Sequence, residues 1–308
     1  MSKNKIGVNQ KCPCGSDRKY KKCCANADRE NAQTSRGVLR KSFSVEPGED
    51  FFNRFIVQMS DIRKCVIDSD DRDTYQESYE CIFQNLVEAR LARAHVKDLI
   101  SDHNRRLQTK EDGIIHGHQI DIVEPIDDDL NLFFKDFFIR GVMVIDQLFE
   151  DSARMGYPIK NLFSEQEKKR CEAIENFPLT NEDERFKSLL AFIDGHKASW
   201  YGKFKELRTM IEHRGWSLPP VSYQTVPGNR VAAKYPQVLG IGLVEIIEIS
   251  WNNLTNLCEE ILVFIAGLKL PDNLIMVKLS EEEQELIRVP VRYAVRLRDF
   301  PGSTYSHS

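Results

Sequence analysis

The sequence predicts a mainly α-helical protein, a helical bundle that is preceded by a small N-terminal cysteine module and followed by short C-terminal β-strands. Apolar residues recur at three- and four-residue intervals over most of the chain after residue 50. Four of the eight cysteines lie within the first 25 residues. The stretches LIMVKL and LIRVPVRYAVRLRDF are β-branched and partly alternating, which predicts two short strands after Asp272.

These patterns divide the chain into four parts. Residues 1–25 form the cysteine module, and residues 26–49 are polar and punctuated by Pro and Gly, which is typical of a linker. Residues 50–270 form the helical domain, and residues 271–308 form a short β appendage and tail. A chain of 308 residues is long enough to bury an apolar core without help from disulfides.

Helical periodicity is clearest in five segments of the helical domain. They are residues 51–67, 75–100, 129–156, 182–213 and about 238–268. Gly195 is a potential break within the fourth segment. Ser164 and Glu167 have the spacing of a capping box, which predicts the start of a further short helix.

Two stretches interrupt the helical pattern. The first, GIIHGHQIDIVEP from Gly113, has the character of a short β segment or loop. The second, WSLPPVSYQTVPGN, is not helical, because Pro219, Pro220 and Pro227 each lack an amide hydrogen and fix φ. We therefore expect non-helical connections at both places.

The net charge of −4 conceals an asymmetry between the N-terminal segment and the rest of the chain. Residues 1–41 contain eleven Lys and Arg but only three Asp and Glu, a balance of +8, and the remainder carries −12. A basic leader of this kind suits contact with nucleic acid or an anionic surface, and it equally suits a solvated, flexible arm. Both interpretations remain open.

The N-terminus MSKNKIGVNQ lacks the apolar segment of a secretory signal. The most apolar runs, such as ILVFIAGLKL, are too short to span a bilayer. We therefore expect a cytoplasmic protein in a reducing compartment, where clustered cysteines bind metal ions more often than they form disulfides.

The N-terminal cysteines Cys12, Cys14, Cys23 and Cys24 have the spacing C-x-C-x8-C-C. As disulfides, a C-x-C bridge or a bridge between the adjacent Cys23 and Cys24 would be strained. Four thiolates are instead the soft ligands that tetrahedral Zn²⁺ prefers. Because four sulfur ligands leave no open coordination position, such a site is structural and does not catalyse a reaction.

The residues around these cysteines resemble the SEC-C motif. The motif runs C-P-C-G-S, then K-Y-K-K-C and a final Cys or His, and residues 12–16 and 19–24 match it. The resemblance implies a small zinc module, with iron as a variant in the family. It also implies a docking role toward proteins, ribosomes or anionic lipid.

Other cysteines and histidines are weaker candidates for metal ligands. Four cysteines are scattered on apolar helix faces, and we expect them to be reduced core residues: Cys65, Cys81, Cys171 and Cys258. His116 and His118, with Asp121 nearby, could bind a metal. The alternative, a β-turn with two exposed imidazoles, is the simpler interpretation.

In the stretch WYGKFKELRTMIEHRGWSLPP, four residues separate Arg208 from His213 near a predicted helix end. A guanidinium group can stabilise charge on a phosphate, and an imidazole can exchange protons near neutral pH. The 2′-hydroxyl of RNA is itself a nucleophile, so no catalytic metal would be needed. On a helix the two side chains are rotated by about 140°, so we expect them to converge only where the helix ends or two subunits meet.

This segment, within a bundle of long helices, resembles the HEPN superfamily, whose ribonuclease members carry an R-x4–6-H motif. The resemblance extends over roughly residues 50–270. It implies a homodimer with one cleft formed by two motifs, as in prokaryotic toxins and antiviral defence proteins. It also implies that Arg208 and His213 are catalytic. We further expect Arg214 and Trp216, beside them, to help place RNA through charge and stacking.

Two features of the sequence favour a different interpretation. Arg90 and His95 form a second pair with the same spacing in a plain amphipathic helix. Thr209 occupies a position where active HEPN members often have Asn, Asp or His. The alternative is that Arg208 is a surface residue and that His213 is favoured by the helix dipole.

The sequence therefore supports two hypotheses about function. The first is a metal-independent endoribonuclease of stress or phage defence, carrying a zinc module for docking. The second is a non-enzymatic adaptor that docks on the ribosome or on the protein-translocation machinery through the SEC-C-like module.

Overall fold

The computed structural model describes residues 50–116, 119–228, 230–285 and 291–298, and within them the chain is mainly helical, as predicted. The cysteine module and the linker lie outside the described residues. The α-helices are α1 Asp50–Arg63, α2 Ser69–Thr109, α3 Asp127–Arg154, α4 Glu167–Glu175, α5 Glu184–His196, α6 Gly202–His213, α7 Leu243–Leu268 and α8 Glu281–Glu285. In the parts of the chain that the structure describes, no helix has both the length and the apolar character to cross a membrane.

The described strands pair as antiparallel two-stranded sheets. The pairs are β1 Ile114–His116 with β2 Gln119–Asp121, β3 Ser222–Val226 with β4 Arg230–Lys234, β5 Gln237–Val238 with β6 Ile241–Gly242, and β7 Leu274–Lys278 with β8 Tyr293–Leu297. The last pair confirms the prediction of two short strands after Asp272. The first pair confirms the β character predicted after Gly113.

The described residues fall into two compact units. The smaller contains residues 50–57, 280–285 and 291–292, and the rest belongs to the larger unit. In the smaller unit, the Ser280 amide donates to Glu283 Oε2 (2.8 Å) and the Glu283 amide donates to Ser280 Oγ (3.3 Å). This reciprocal capping box starts α8.

Helices α2 and α3 form the centre of the larger unit. Glu88 pairs with Arg140 at 2.6 Å, and Glu77 pairs with Arg154 at 3.2 Å. Because rising numbers on α3 meet falling numbers on α2, the two helices are antiparallel. Helix α2 extends over 41 residues, since its sequence contains neither Gly nor Pro to interrupt it.

The apolar face of α3 and most of α7 are buried in the core of this unit. Helix α7 is tied to α2 by an ion pair: Arg93 donates to Glu248 through two nitrogens, at 2.9 and 2.7 Å. The same guanidinium lies 5.3 Å from the ring centroid of Trp251. A bidentate, largely buried pair with a cation–π contact fixes the two helices more firmly than an exposed ion pair would.

The segment predicted as one helix over residues 182–213 is helical throughout, but it is not uniform. A π-helical turn, Lys197–Tyr201, joins α5 to α6. Gly195 does not break the helix. At the turn, Trp200 Nε1 donates to His196 Nδ1 (2.5 Å), and burial lowers the pKa of His196 to about 4.

Three details of the sequence-based expectations differ in the structure. The helix expected from about residue 238 begins at Leu243, because β5 and β6 form a tight hairpin in which Leu239 and Gly240 have φ values of 52° and 77°. A short helix does follow Ser164, as the predicted capping box with Glu167 implied. The Ser164 hydroxyl, however, accepts from the amide of Gln166 (3.1 Å), one residue before the expected partner. Of the scattered cysteines, Cys258 is buried as expected, whereas Cys81 and Cys171 are exposed.

Candidate functional site

Arg208 and His213 both contact one oxygen atom of the residue between them. Glu212 Oε2 lies 2.8 Å from Arg208 Nε and 3.7 Å from His213 Nε2. Helix α6 continues through His213, so the two side chains do not converge at a helix end. The carboxylate of Glu212, four residues after the arginine and one before the histidine, lies near both of them instead.

The three side chains of this group differ in exposure. The side chain of His213 is 68% exposed, while those of Arg208 and Glu212 are 36% and 28% exposed. Arg208 Nε is itself buried, and its hydrogen is not directed at the carboxylate closely enough for a hydrogen bond. Among the residues that the structure describes, the arginine therefore has a charge partner but keeps an unused donor.

The end of α6 is shaped by Gly215. Its φ of +57° is a left-handed conformation that glycine adopts without steric cost. The amides of Arg214 and Trp216 both point back to Met210 O, at 3.2 and 3.4 Å. This turn leaves Arg214 exposed beside His213 and directs Trp216 toward α3.

The chain after α6 is anchored on the first turns of α3. The ring of Trp216 lies 6.0 Å from that of Phe134, and Trp216 is half-buried. Asn131 Oδ1 accepts from the Leu218 amide (3.0 Å), and Asp127 Oδ1 accepts from the Val221 amide (2.7 Å). These contacts fix the proline-containing segment, so that the residues predicted to bind RNA follow the helix in a defined path.

Tyr201 lies two turns before Arg208 on the same side of the helix. Burial raises the pKa of the Tyr201 hydroxyl to about 12; Asp146 of α3 adds to this rise and Arg208 opposes it. The hydroxyl therefore stays protonated in the physiological range. Asp146 and Arg208 thus both act on the Tyr201 hydroxyl, with opposite signs.

The second pair with the same spacing has a different environment. His95 stacks on Phe133 of α3, with 4.5 Å between the ring centroids. This contact lies in the seam between α2 and α3, where Glu88 also meets Arg140. His95 is exposed, and its ring contributes to the packing of α2 against α3.

A buried cluster around His103 was not predicted from the sequence. His103 is 0% exposed; its Nδ1 lies 3.0 Å from the Tyr235 hydroxyl and its Nε2 lies 3.4 Å from the Tyr223 hydroxyl. The Tyr235 hydroxyl is also 3.0 Å from Asn104 Oδ1. The cluster joins α2 to the β3–β4 hairpin, which directly follows the segment after α6.

Ionisation in this cluster is governed by burial. Burial lowers the pKa of His103, an effect that Asp112 opposes and Arg106 reinforces. Burial raises the pKa of both Tyr223 and Tyr235 to about 12. All three groups are therefore neutral near pH 7, which suits a hydrogen-bonded joint between two elements.

The structure describes some of the predicted metal ligands and not others. Cys12, Cys14, Cys23 and Cys24 lie outside the described residues, as does His118. His116 Nε2 is 3.8 Å from Asp121 Oδ2, and its side chain is 66% exposed. Within the described ranges, no group of three or more His, Cys, Asp or Glu side chains is arranged to hold a metal ion.

Comparison with known proteins bears on the N-terminal cysteines. Residues 9–26 match the SEC-C motif. A segment of 25 residues is also 68% identical to part of the protein translocase subunit SecA of Pelotomaculum thermopropionicum. That match covers 8% of this chain and 3% of SecA, and no solved structure matches the chain.

The SEC-C match contains all four clustered cysteines, so this part of the sequence-based interpretation is confirmed. It covers only residues 9–26 and does not bear on the helical domain. The HEPN-like interpretation of residues 50–270 therefore stays a prediction.

Proposed function

We propose that the helical domain is a metal-independent endoribonuclease of HEPN type that acts in prokaryotic stress or phage defence. One observation carries the proposal: a single oxygen of Glu212 lies 2.8 Å from Arg208 Nε and 3.7 Å from His213 Nε2. A cation and an imidazole that share one anionic oxygen can also share the oxygen of a phosphodiester.

In this proposal the RNA supplies its own nucleophile. The 2′-oxygen attacks the adjacent phosphorus and loses its proton to an imidazole, while the bond from phosphorus to the 5′-oxygen breaks. A second imidazole protonates the leaving 5′-oxygen. The products are a 2′,3′-cyclic phosphate and a 5′-hydroxyl, and Arg208 stabilises the charge that develops on the phosphate oxygens.

The proposed homodimer would supply the second histidine. Two copies of His213 in one cleft would provide one base and one acid. The exposed Arg214 would contact the RNA backbone, and the half-buried ring of Trp216 would offer its free face to a base.

Cleavage of single-stranded RNA by the full chain tests the nuclease. We expect His213→Ala and Arg208→Ala each to reduce the rate by about 10²- to 10⁴-fold, with the wild-type rate unchanged by a metal chelator. His116→Ala removes another exposed histidine and should leave the rate unchanged. Equal rates for all three variants, or no cleavage by the wild type, would refute the nuclease.

For the N-terminal segment we propose a structural zinc site. Cys12, Cys14, Cys23 and Cys24 would hold Zn²⁺, or iron as in some family members, because four closely spaced thiolates suit a tetrahedral ion. The ion would stabilise the fold of the module and supply no reaction step. The module would then serve to dock the helical domain on another molecule.

The match to SEC-C and to a segment of SecA favours a second candidate, an adaptor without enzymatic activity. The module would attach the helical domain to the ribosome or to the protein-translocation machinery. Cosedimentation of the full chain with ribosomes, and with translocase-containing membranes, tests it. Loss of association in Cys23→Ser, with normal association in Arg208→Ala and no RNA cleavage, would support the adaptor over the nuclease.

A further inference from the structure

Glu212 is placed unfavourably for a residue that only stabilises its helix. It is the second-last residue of α6, near the negative end of the helix dipole, where an acidic side chain is disfavoured. Its pair with Arg208 also has the weaker of the two orders, with the cation four residues before the anion. Stabilisation of the helix therefore does not account for this carboxylate.

The contact between Glu212 and Arg208 is also incomplete. The 2.8 Å separation pairs the charges, but the buried Nε–H of Arg208 makes no hydrogen bond with the carboxylate. Ion pairs with this degree of solvent exposure are weak. An anionic ligand that satisfies the donor would therefore displace the carboxylate at little cost.

We infer that the Glu212 carboxylate holds the place of an anionic phosphodiester oxygen, and that RNA must displace it to reach Arg208 and His213. This inference rests on the proposed nuclease function and adds a regulating residue to the same site. A carboxylate and a phosphate both accept hydrogen bonds from a guanidinium group, so only one of them occupies the position between the two side chains at a time. Glu212 would thus set how tightly the site holds its ligand.

Binding of an oligonucleotide that resists cleavage tests the inference. A fluorescent single-stranded RNA with 2′-O-methyl groups throughout has no free 2′-hydroxyl, so anisotropy reports binding alone. We expect Glu212→Gln to bind about two- to fivefold more tightly than the wild type, which matches the strength of an exposed ion pair. The amide keeps the size of the side chain and removes its charge.

Glu206→Gln is the matched control. Glu206 is an exposed glutamate on the same helix, rotated by about 200° from Arg208. The variant makes the same change in charge away from the site, and its affinity for the RNA should stay close to that of the wild type. Equal gains in the two variants would assign the effect to net charge and overturn the inference.

Failure of this inference and failure of the proposed nuclease function give different results. If Arg208→Ala weakens binding but Glu212→Gln does not strengthen it, the site binds RNA and Glu212 is not a placeholder. If Glu212→Gln weakens binding, the carboxylate is a required positioning group, which also overturns the inference. If Arg208→Ala and His213→Ala change neither binding nor cleavage, the proposed function itself is wrong.

A titration with inorganic phosphate, followed by the NMR signals of the His213 ring, tests the displacement without RNA. We expect the signals to move at a lower phosphate concentration in Glu212→Gln than in the wild type. Movement at the same concentration in both proteins, or in neither, would overturn the inference.

Discussion

Two histidines near helix ends, His103 of α2 and His213 of α6, show how surroundings decide what the same side chain does. His103 is fully buried, and each of its ring nitrogens faces a tyrosine hydroxyl. The side chain of His213 is 68% exposed and has a carboxylate oxygen 3.7 Å away. The first imidazole is fully engaged in joining two elements, whereas the second is accessible to a ligand.

The comparison separates a stabilising group from a candidate reactive group. A ring whose two nitrogens are both engaged cannot exchange protons with a substrate unless its surroundings open. An exposed ring can do so without any such change. Variants that affect stability should therefore concentrate at His103, and variants that affect ligand binding at Arg208, Glu212 and His213.

The largest expected effect is on stability. His103→Ala leaves a cavity and removes a partner from both tyrosine hydroxyls, so we expect it to lower the free energy of unfolding by about 3 kcal/mol. His213→Ala should change that free energy by less than about 0.5 kcal/mol, because its side chain is mostly exposed. Urea denaturation followed by circular dichroism measures both. Equal losses in the two variants would contradict the comparison.

A change of pH should have a smaller effect on the free energy of unfolding. The pKa of His103 is lower in the folded chain than the ordinary value of about 6.5, because burial disfavours the charged form. Between the two values the unfolded chain binds more protons, so the free energy of unfolding falls as pH drops below about 6.5. Asp112, Asp127 and Asp102 oppose this shift and Arg106 adds to it.

Denaturation at pH 7 and at pH 5.5 measures this dependence. His103→Gln removes the titrating ring and should lose less stability between these two values than the wild type does. Buried His196 acts in the same direction and keeps part of the dependence in both proteins. An unchanged pH dependence in His103→Gln would assign the effect to other groups.

The two regions also differ in how much of them could be predicted from the sequence. The helices followed from local periodicity, and a pair between Glu212 and Arg208 could be expected because residues four apart on a helix are neighbours. The contacts of His103 join residues 120 and 132 positions apart. Periodicity carries no information about such distant partners, so this cluster had no signal in the sequence.

Local conformation limited the prediction in other places. The hairpin before α7 depends on a left-handed Leu239, a conformation that leucine rarely adopts and that its sequence context does not predict. The turn after α6 was easier to place, because prolines excluded a helix there and Gly215 lies two residues after the last residue of α6. The hydrogen bonds that join that turn to α3 are again long-range, and Asn131 and Asp127 accept them.

The smallest expected effect on the free energy of unfolding comes from removing either tyrosine hydroxyl of the buried cluster, and the two hydroxyls should differ. The Tyr235 hydroxyl lies 3.0 Å from both His103 Nδ1 and Asn104 Oδ1, whereas the Tyr223 hydroxyl lies 3.4 Å from His103 Nε2, which is long for a hydrogen bond. Phenylalanine keeps each ring edge-on to the imidazole and removes only the hydroxyl. We expect Tyr235→Phe to cost about 1 kcal/mol and Tyr223→Phe about half of that, as measured by urea denaturation. A larger loss for Tyr223→Phe would mean that its hydroxyl has a stronger partner than His103, and the joint between α2 and the β3–β4 hairpin would then depend on that contact.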